Sequence, residues 1–196
     1  MSKILKYGIL EDIDTVRRIR VGRFWNVTLL ITPVTWLGPV FFFVVHFLLN
    51  LLNDQPSMAD RLYQSMIFTI AVEITTLLHA FGHILSGKIV NSAMDELLIT
   101  TTRDVNLYHG DQSLVPGYVH LARSLGGPLF NLFVAVVCIF VSRKYSQGFS
   151  ADLIASLIGT NLFFGIGSFF PIRSVDGEVI WREILRSFRA RSQKNG

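Results

Sequence analysis

The sequence predicts an α-helical membrane protein: about four transmembrane helices, a small β hairpin or sheet on the cytoplasmic side, and a C-terminal amphipathic helix. Three observations predict it. Hydrophobic residues make up 51% of the chain, only 16% is charged and mean hydropathy is +0.46, whereas soluble domains carry about a quarter charged residues. Residues 26–53, 62–87, 124–142 and 153–172 form apolar stretches that meet the requirement of about 20 residues for a helix to cross hydrocarbon. Lys and Arg alternate in density along the chain, rich at both ends and between the second and third stretches, which sets an orientation.

The elements follow in order. The N-terminal arm, residues 1–25, carries Lys3, Lys6, Arg17, Arg18, Arg20 and Arg23, and its partly alternating end reads as a short strand at the membrane edge. The first apolar run begins after these polar residues and is too long for a signal-peptide core, so it is expected to remain as a span. Pro33 and Pro39 permit a kink or a late helix start. His46 in this stretch reads as a packed or cavity-facing histidine. The second span carries Glu73 as its single formal charge.

Residues 88–123 form a β-rich loop at the membrane edge, with β-branched residues in "LLITTT" and turn signals at His109–Gly110 and Pro116–Gly117. An edge strand there has the means to hold an extended peptide by main-chain hydrogen bonds, or else the hairpin only connects. The third span opens on Gly126, Gly127 and Pro128, and the fourth contains Gly165 and Gly167, small residues that favour close packing of membrane helices. Residues 178–193 place Ile180, Ile184 and Phe188 four apart, with Arg182, Arg186 and Arg189 on other faces, an amphipathic basic helix suited to headgroups. With no internal repeat, residues 1–196 read as a single membrane domain. The lone Cys138 excludes an internal disulfide framework.

Both termini and the middle loop are therefore expected in the cytoplasm. The formal net charge of +4 points to anionic lipid headgroups as partners and not to nucleic acid.

The chemistry concentrates at "LLHAFGH", residues 77–83. On a helix, positions i and i+4 share a face, so His79 and His83 offer imidazoles to one ion. With a cytoplasmic N-terminus, spans two and four both run inward, so these histidines and Asp176, just beyond span four, reach the same depth. Two imidazoles, one carboxylate and an open fourth position form the donor set expected of catalytic Zn²⁺.

Three blocks, in order, resemble the site-2 protease family of intramembrane zinc metalloproteases. "HAFGH" at 79–83 stands where the family has H-E-x-x-H, "GGPLFN" at 126–131 resembles G-P-x-x-N, and "SFFPIRSVDG" at 168–177 resembles N-x-x-P-x-x-x-x-D-G. The resemblance implies one zinc ion held by His79, His83 and Asp176, with Asn131 near the site as a substrate-side residue. It also implies membrane proteins or transmembrane peptides as substrates. Ala80 occupies the place of the family's general base, and Ser168 that of an asparagine thought to position substrate or a developing oxyanion. Loss of a positioned acid–base group removes about 10²–10⁴-fold in rate. Glu178, two residues past Asp176, is a candidate substitute base, and Glu73, seven before Ala80, lies on nearly the same helix face.

The expected function is therefore a homologue of these proteases, impaired in proteolysis. The alternatives are a non-catalytic relative that binds and regulates membrane helices and, more remotely, a haem-carrying or transport bundle.

Overall fold

The computed structural model describes residues 15–52, 57–101, 103–173 and 175–194, with side chains described up to residue 189. Lys3 and Lys6, the Asn53 end of the first apolar stretch, Thr102 of "LLITTT", and the Arg191 and Lys194 side chains lie outside this set.

Strand β1 (Ile19–Phe24) turns tightly into β2 (Val27–Ile31). Trp25 and Asn26 between them have φ of 50° and 69°, the left-handed pair required by a two-residue hairpin whose twist matches its strands. Helix α1 (Leu37–Leu51) and the long α2 (Met58–Ile89) follow before the chain returns as β3 (Glu96–Ile99) and β4 (Asp104–Leu107). The sheet order is β1-β2-β3-β4. Its outer pairs are antiparallel, while β2 and β3 run parallel with Thr28 opposite Glu96 and Ile31 opposite Ile99. A 3-10 turn (Gln112–Leu114) leads to α3 (Gly117–Ser142), α4 (Phe149–Gly167) and α5 (Asp176–Lys194).

Among the described residues, α2, α3 and α4 are long and apolar enough to cross a membrane. Large apolar side chains such as Leu129, Phe133, Val136 and Phe140 of α3 and Phe163 of α4 point outward. A continuous coat of this kind suits hydrocarbon and not water. The chain is an integral membrane protein on these grounds.

The first expected span is divided. Residues 27–31 belong to β2, a turn at 33–36 contains Pro33, and the helix begins at Leu37 with Pro39 in its first turn, where a missing N–H breaks no helical bond. The 15 residues left span only about 22 Å at 1.5 Å per residue, short of about 30 Å of hydrocarbon. The other helices begin earlier than the apolar stretches suggest, at 58, 117 and 149, because their first turns include polar residues that lie outside the apolar runs. Ser57 caps α2 by accepting from the Asp60 N–H at 3.1 Å.

Two features position the site. The sheet lies on one face of α2, where Val27, Met94 and Leu97 enclose Ala80 and Ile84. On another face α2 crosses α3 at backbone contact: a Cβ on Gly82 would overlap the Gly126 carbonyl, and one on Gly126 would overlap the Ser86 hydroxyl. The chain has no room there for anything but glycine. On α4, Gly165 packs against Leu132 and the Pro128 carbonyl, whereas Gly167 has open space.

Buried polar groups pair across the helix interfaces, as hydrocarbon demands, with the side-chain oxygens of Asn131 and Asn161 as the exceptions among the described residues. Thr75 of α2 meets Thr160 of α4 at 2.8 Å, and Asn161 donates to Thr75 at 2.9 Å. His46 is a packed histidine, hydrogen-bonded to Ser65 and Asn50 and stacked on Phe68 at 4.2 Å.

Candidate metal centre

Helix α2 carries both histidines on the face turned toward α3 and the start of α5. His79 Nε2 lies 3.0 Å from His83 Nε2 and 3.0 Å from Asp176 Oδ2, and His83 Nε2 lies 3.4 Å from the same carboxylate oxygen. Among the described residues this trio forms the metal-competent cluster, its donor atoms all within 4.8 Å of one another. The three residues singled out in the sequence thus meet, although Asp176 is 97 positions from His79.

The outer ring nitrogens are also engaged. His83 Nδ1–H donates to the Arg123 carbonyl at 2.8 Å, which leaves the lone pair of its Nε2 facing the cluster in the neutral ring. His79 Nδ1 faces the Asn131 amide at 3.1 Å, while Asn131 Oδ1 is buried with no hydrogen-bond partner. The two ends of an amide are interchangeable in placement. Turned so that Oδ1 accepts from His79 Nδ1–H, the amide gains a partner for its oxygen and gives His79 a free Nε2 lone pair. Two inward lone pairs and a carboxylate oxygen are a donor set for a divalent cation, and outer partners that fix the tautomer are the usual accompaniment. The residues fit Zn²⁺.

Gly127 keeps the space open. A Cβ there would lie 2.5 Å from both Nε2 atoms, on the ligand side of the rings. Without a cation the two rings can instead carry Nε2 protons toward Asp176; burial would raise its carboxyl, but His83 and the hydrogen bonds from both rings then outweigh it and hold the group down at about 2. It is ionised and ready to ligate.

Asn131 is fully buried and orients a ligand. Asn131→Ala is expected to weaken zinc binding by about 10–100-fold, the usual cost of losing an outer partner. A chelator competition titration measures it, and unchanged affinity would separate Asn131 from the metal.

The other expected residues are placed as follows. Ala80, 2% exposed, sits in the apolar cluster against the sheet. Ser168 ends α4 and lines an apolar cavity of about 430 Å³ with His79, His83, Phe163, Phe164 and Asp176. Glu178 lies in the first turn of α5 and lines a different, polar cavity of about 370 Å³. Glu73 faces a third small cavity with Thr76 and Arg103. The large polar and apolar cavities share His83, Arg103, Asp104, Asn106, Val175 and Asp176, so they meet at the cluster.

Two residues at this junction escaped the sequence. Arg123 of α3 donates from Nε to the Ser92 carbonyl at 2.6 Å, from Nη2 to the Ser92 hydroxyl and from Nη1 to Gln112 at 2.9 Å, and lies 4.0 Å over the Tyr108 ring. It ties both loops flanking the β3–β4 hairpin to the helix that holds His83. Its signal was a single cation immediately before the third apolar stretch.

Asp104 is the other. It opens β4 opposite Ile99, and burial together with the Glu73 carboxylate pushes its carboxyl up to about 7 against the opposing pull of His83. Its folded value lies above the about 3.9 of a free aspartate, so the folded chain keeps a proton that the unfolded chain has released. Stability from this group is full below about pH 4 and is lost as pH rises toward 7. In metal-free protein, Asp104→Asn is thus expected to raise thermal stability relative to wild type at pH 8 and not at pH 4. Equal differences at both pH values would contradict the burial of this carboxyl.

No protein-family model and no curated protein matches the sequence. Among solved structures, the fold is similar to the site-2 protease from Methanocaldococcus jannaschii, with a TM-score of 0.62 and 20% identity over 87% of this chain and 73% of that one. The chain has a site-2-protease-like fold.

Proposed function

We propose that this chain is a zinc-binding homologue of the intramembrane proteases, acts on membrane-embedded polypeptides, and hydrolyses them slowly because residue 80 is alanine. The observation that carries the reading is the convergence of His79, His83 and Asp176 where an apolar and a polar cavity join. The apolar cavity suits a segment arriving from lipid, and the polar one suits water.

Bound zinc would supply Lewis acidity at the scissile carbonyl. The chain's own residues do the rest. Asn131 and the Arg123 carbonyl fix the two imidazoles, Gly127 leaves space before them, and β4, an edge of the sheet, offers main-chain groups to an extended peptide. The Ser168 hydroxyl lines the apolar side as a single donor where the family has an amide. The reading places both termini in the cytoplasm and the site toward the inner leaflet. Arg182 and Arg186, although both also bond Glu183, keep α5 basic at its headgroup-facing side.

A second reading, a binder without catalysis, is favoured by the apolar enclosure of Ala80. The haem alternative finds no support. The Nε2 atoms of His79 and His83 face each other at 3.0 Å, and His46 belongs to a separate hydrogen-bonded group. The test is purified protein in lipid vesicles with a doubly labelled transmembrane peptide. Slow cleavage that a chelator stops and zinc restores is expected. Zinc-dependent capture without cleavage would establish the binder instead.

A further inference from the structure

If the family's base position is closed, hydrolysis requires a proton-transfer group elsewhere. Four carboxyls surround the site. Asp176 is committed as a ligand. Glu73 lines the third cavity, which Asp104 also borders and neither His79 nor His83 does, and lines neither of the two large ones. Glu178 lines the polar cavity but not the apolar one by which a membrane segment arrives. Asp104 lines both, beside His83 and Asp176, at the point where they join.

We infer that Asp104, at the head of edge strand β4, is the acid–base residue of this site, taking over from the sheet the task that the helix position at Ala80 no longer performs. The inference rests on the protease reading. It draws on three placements: Ala80 is walled into the apolar cluster with Val27, Met94 and Leu97, Asp104 stands at the junction of the cavities, and it lies outside the donor trio. A residue beside the ligands but not among them is where a group must stand to handle water and the leaving nitrogen.

The groups facing Asp104 are Glu73 and His83 of α2, Arg103 beside it in the chain, and Asp176 of α5.

The step balances without a redox partner. A water oxygen bonds to the scissile carbonyl carbon as the Asp104 carboxylate takes one of its protons. The C–N bond then breaks as the same proton passes to nitrogen. The products are a carboxylic acid and an amine, and Asp104 returns to its ionised form.

The location on β4 gives the assignment a geometric sense. The strand offered to a peptide backbone also carries the proton carrier, so docking an extended segment on that edge brings the scissile amide and the carboxyl into one frame.

The test uses the full chain with zinc loaded and three readouts: zinc content, cleavage of a labelled transmembrane peptide, and binding of benzohydroxamate. That probe chelates zinc and gives up a proton to a neighbouring base. Asp104→Asn is isosteric and relieves the burial of charge, so it is expected to fold. Unchanged zinc, cleavage lower by about 10²-fold or more, hydroxamate held about tenfold more weakly, and partial recovery in Asp104→Glu support the assignment. Unchanged cleavage and hydroxamate binding at full zinc overturn it while leaving the zinc site standing. Loss of zinc in Asp104→Asn also overturns it, because Asp104 would then be a ligand or a scaffold. Wild-type protein that holds no zinc, or holds zinc without cutting, overturns the protease reading and this assignment together.

Discussion

His79→Ala protein, purified gently and without chelators, is expected to retain almost no zinc where the wild type retains a full complement. Of the three candidate donors, His79 makes the two shortest contacts, 3.0 Å to each of the others. Its removal leaves His83 and Asp176, a pair too few for a closed or catalytic zinc site. The loss should exceed the about 10–100-fold that follows removal of an outer partner. Asp176→Asn, which preserves shape, is expected to give the same result and guards against a folding artefact in the alanine variant. Metal analysis of the two variants beside wild type decides the matter. Retained zinc in both would remove the metal from this chain's chemistry.

Restoring the family residue by Ala80→Glu is expected to cost stability and to yield no gain in cutting. Ala80 is buried among Val27, Ile84, Met94 and Leu97. A longer side chain there overpacks the contact between α2 and the sheet, at about 1–3 kcal/mol. The carboxyl adds roughly 1–3 kcal/mol more if it stays neutral without a partner. The two together make a loss of roughly 2–6 kcal/mol, readable as a lower unfolding midpoint in detergent. Cleavage assayed alongside gives the discriminating outcome. A rise in rate at unchanged midpoint would mean that the pocket for the old base is intact and that its loss is a single recent change.

Local patterns in the chain foretold much of the centre. Four-residue spacing put His79 and His83 together, and the common direction expected of two apolar stretches put Asp176 at their level. Both statements depend only on helix geometry and hydropathy, which operate within a short window. The late helix start that Pro33 and Pro39 permit is what the structure shows, but the strand at 27–31 was not foreseen, since these residues are as hydrophobic as a helix would be. What makes them a strand is pairing on both sides, with 19–24 across the tight turn and with 96–99 across two intervening helices. No short window contains the second partner.

Asp104 was overlooked for a related reason. In "TTRDVNLY" nothing local marks it. Its carboxyl is raised by burial and by Glu73, and drawn back by His83, both on α2 and remote in the chain. Likewise Arg123 looked like a boundary charge because its partners, Ser92 and Gln112, are loop residues without hydropathic signature.

Under the proposed function, the close crossing of α2 and α3 at Gly82 and Gly126 bears on how a guest segment is admitted. Two backbones this close, with the Ser86 hydroxyl and Phe130 Cβ packed against them, form a stator. The yielding part of the machine is the opposite seam, where Phe42 of α1, Phe68 of α2 and Phe163 and Phe164 of α4 border a void of about 290 Å³. Phe163 and Phe164 also border the apolar cavity before the histidines. Under the proposed function, aromatic rotamers along that seam would act as a turnstile, with α4 leaning outward while the two imidazoles stay in register.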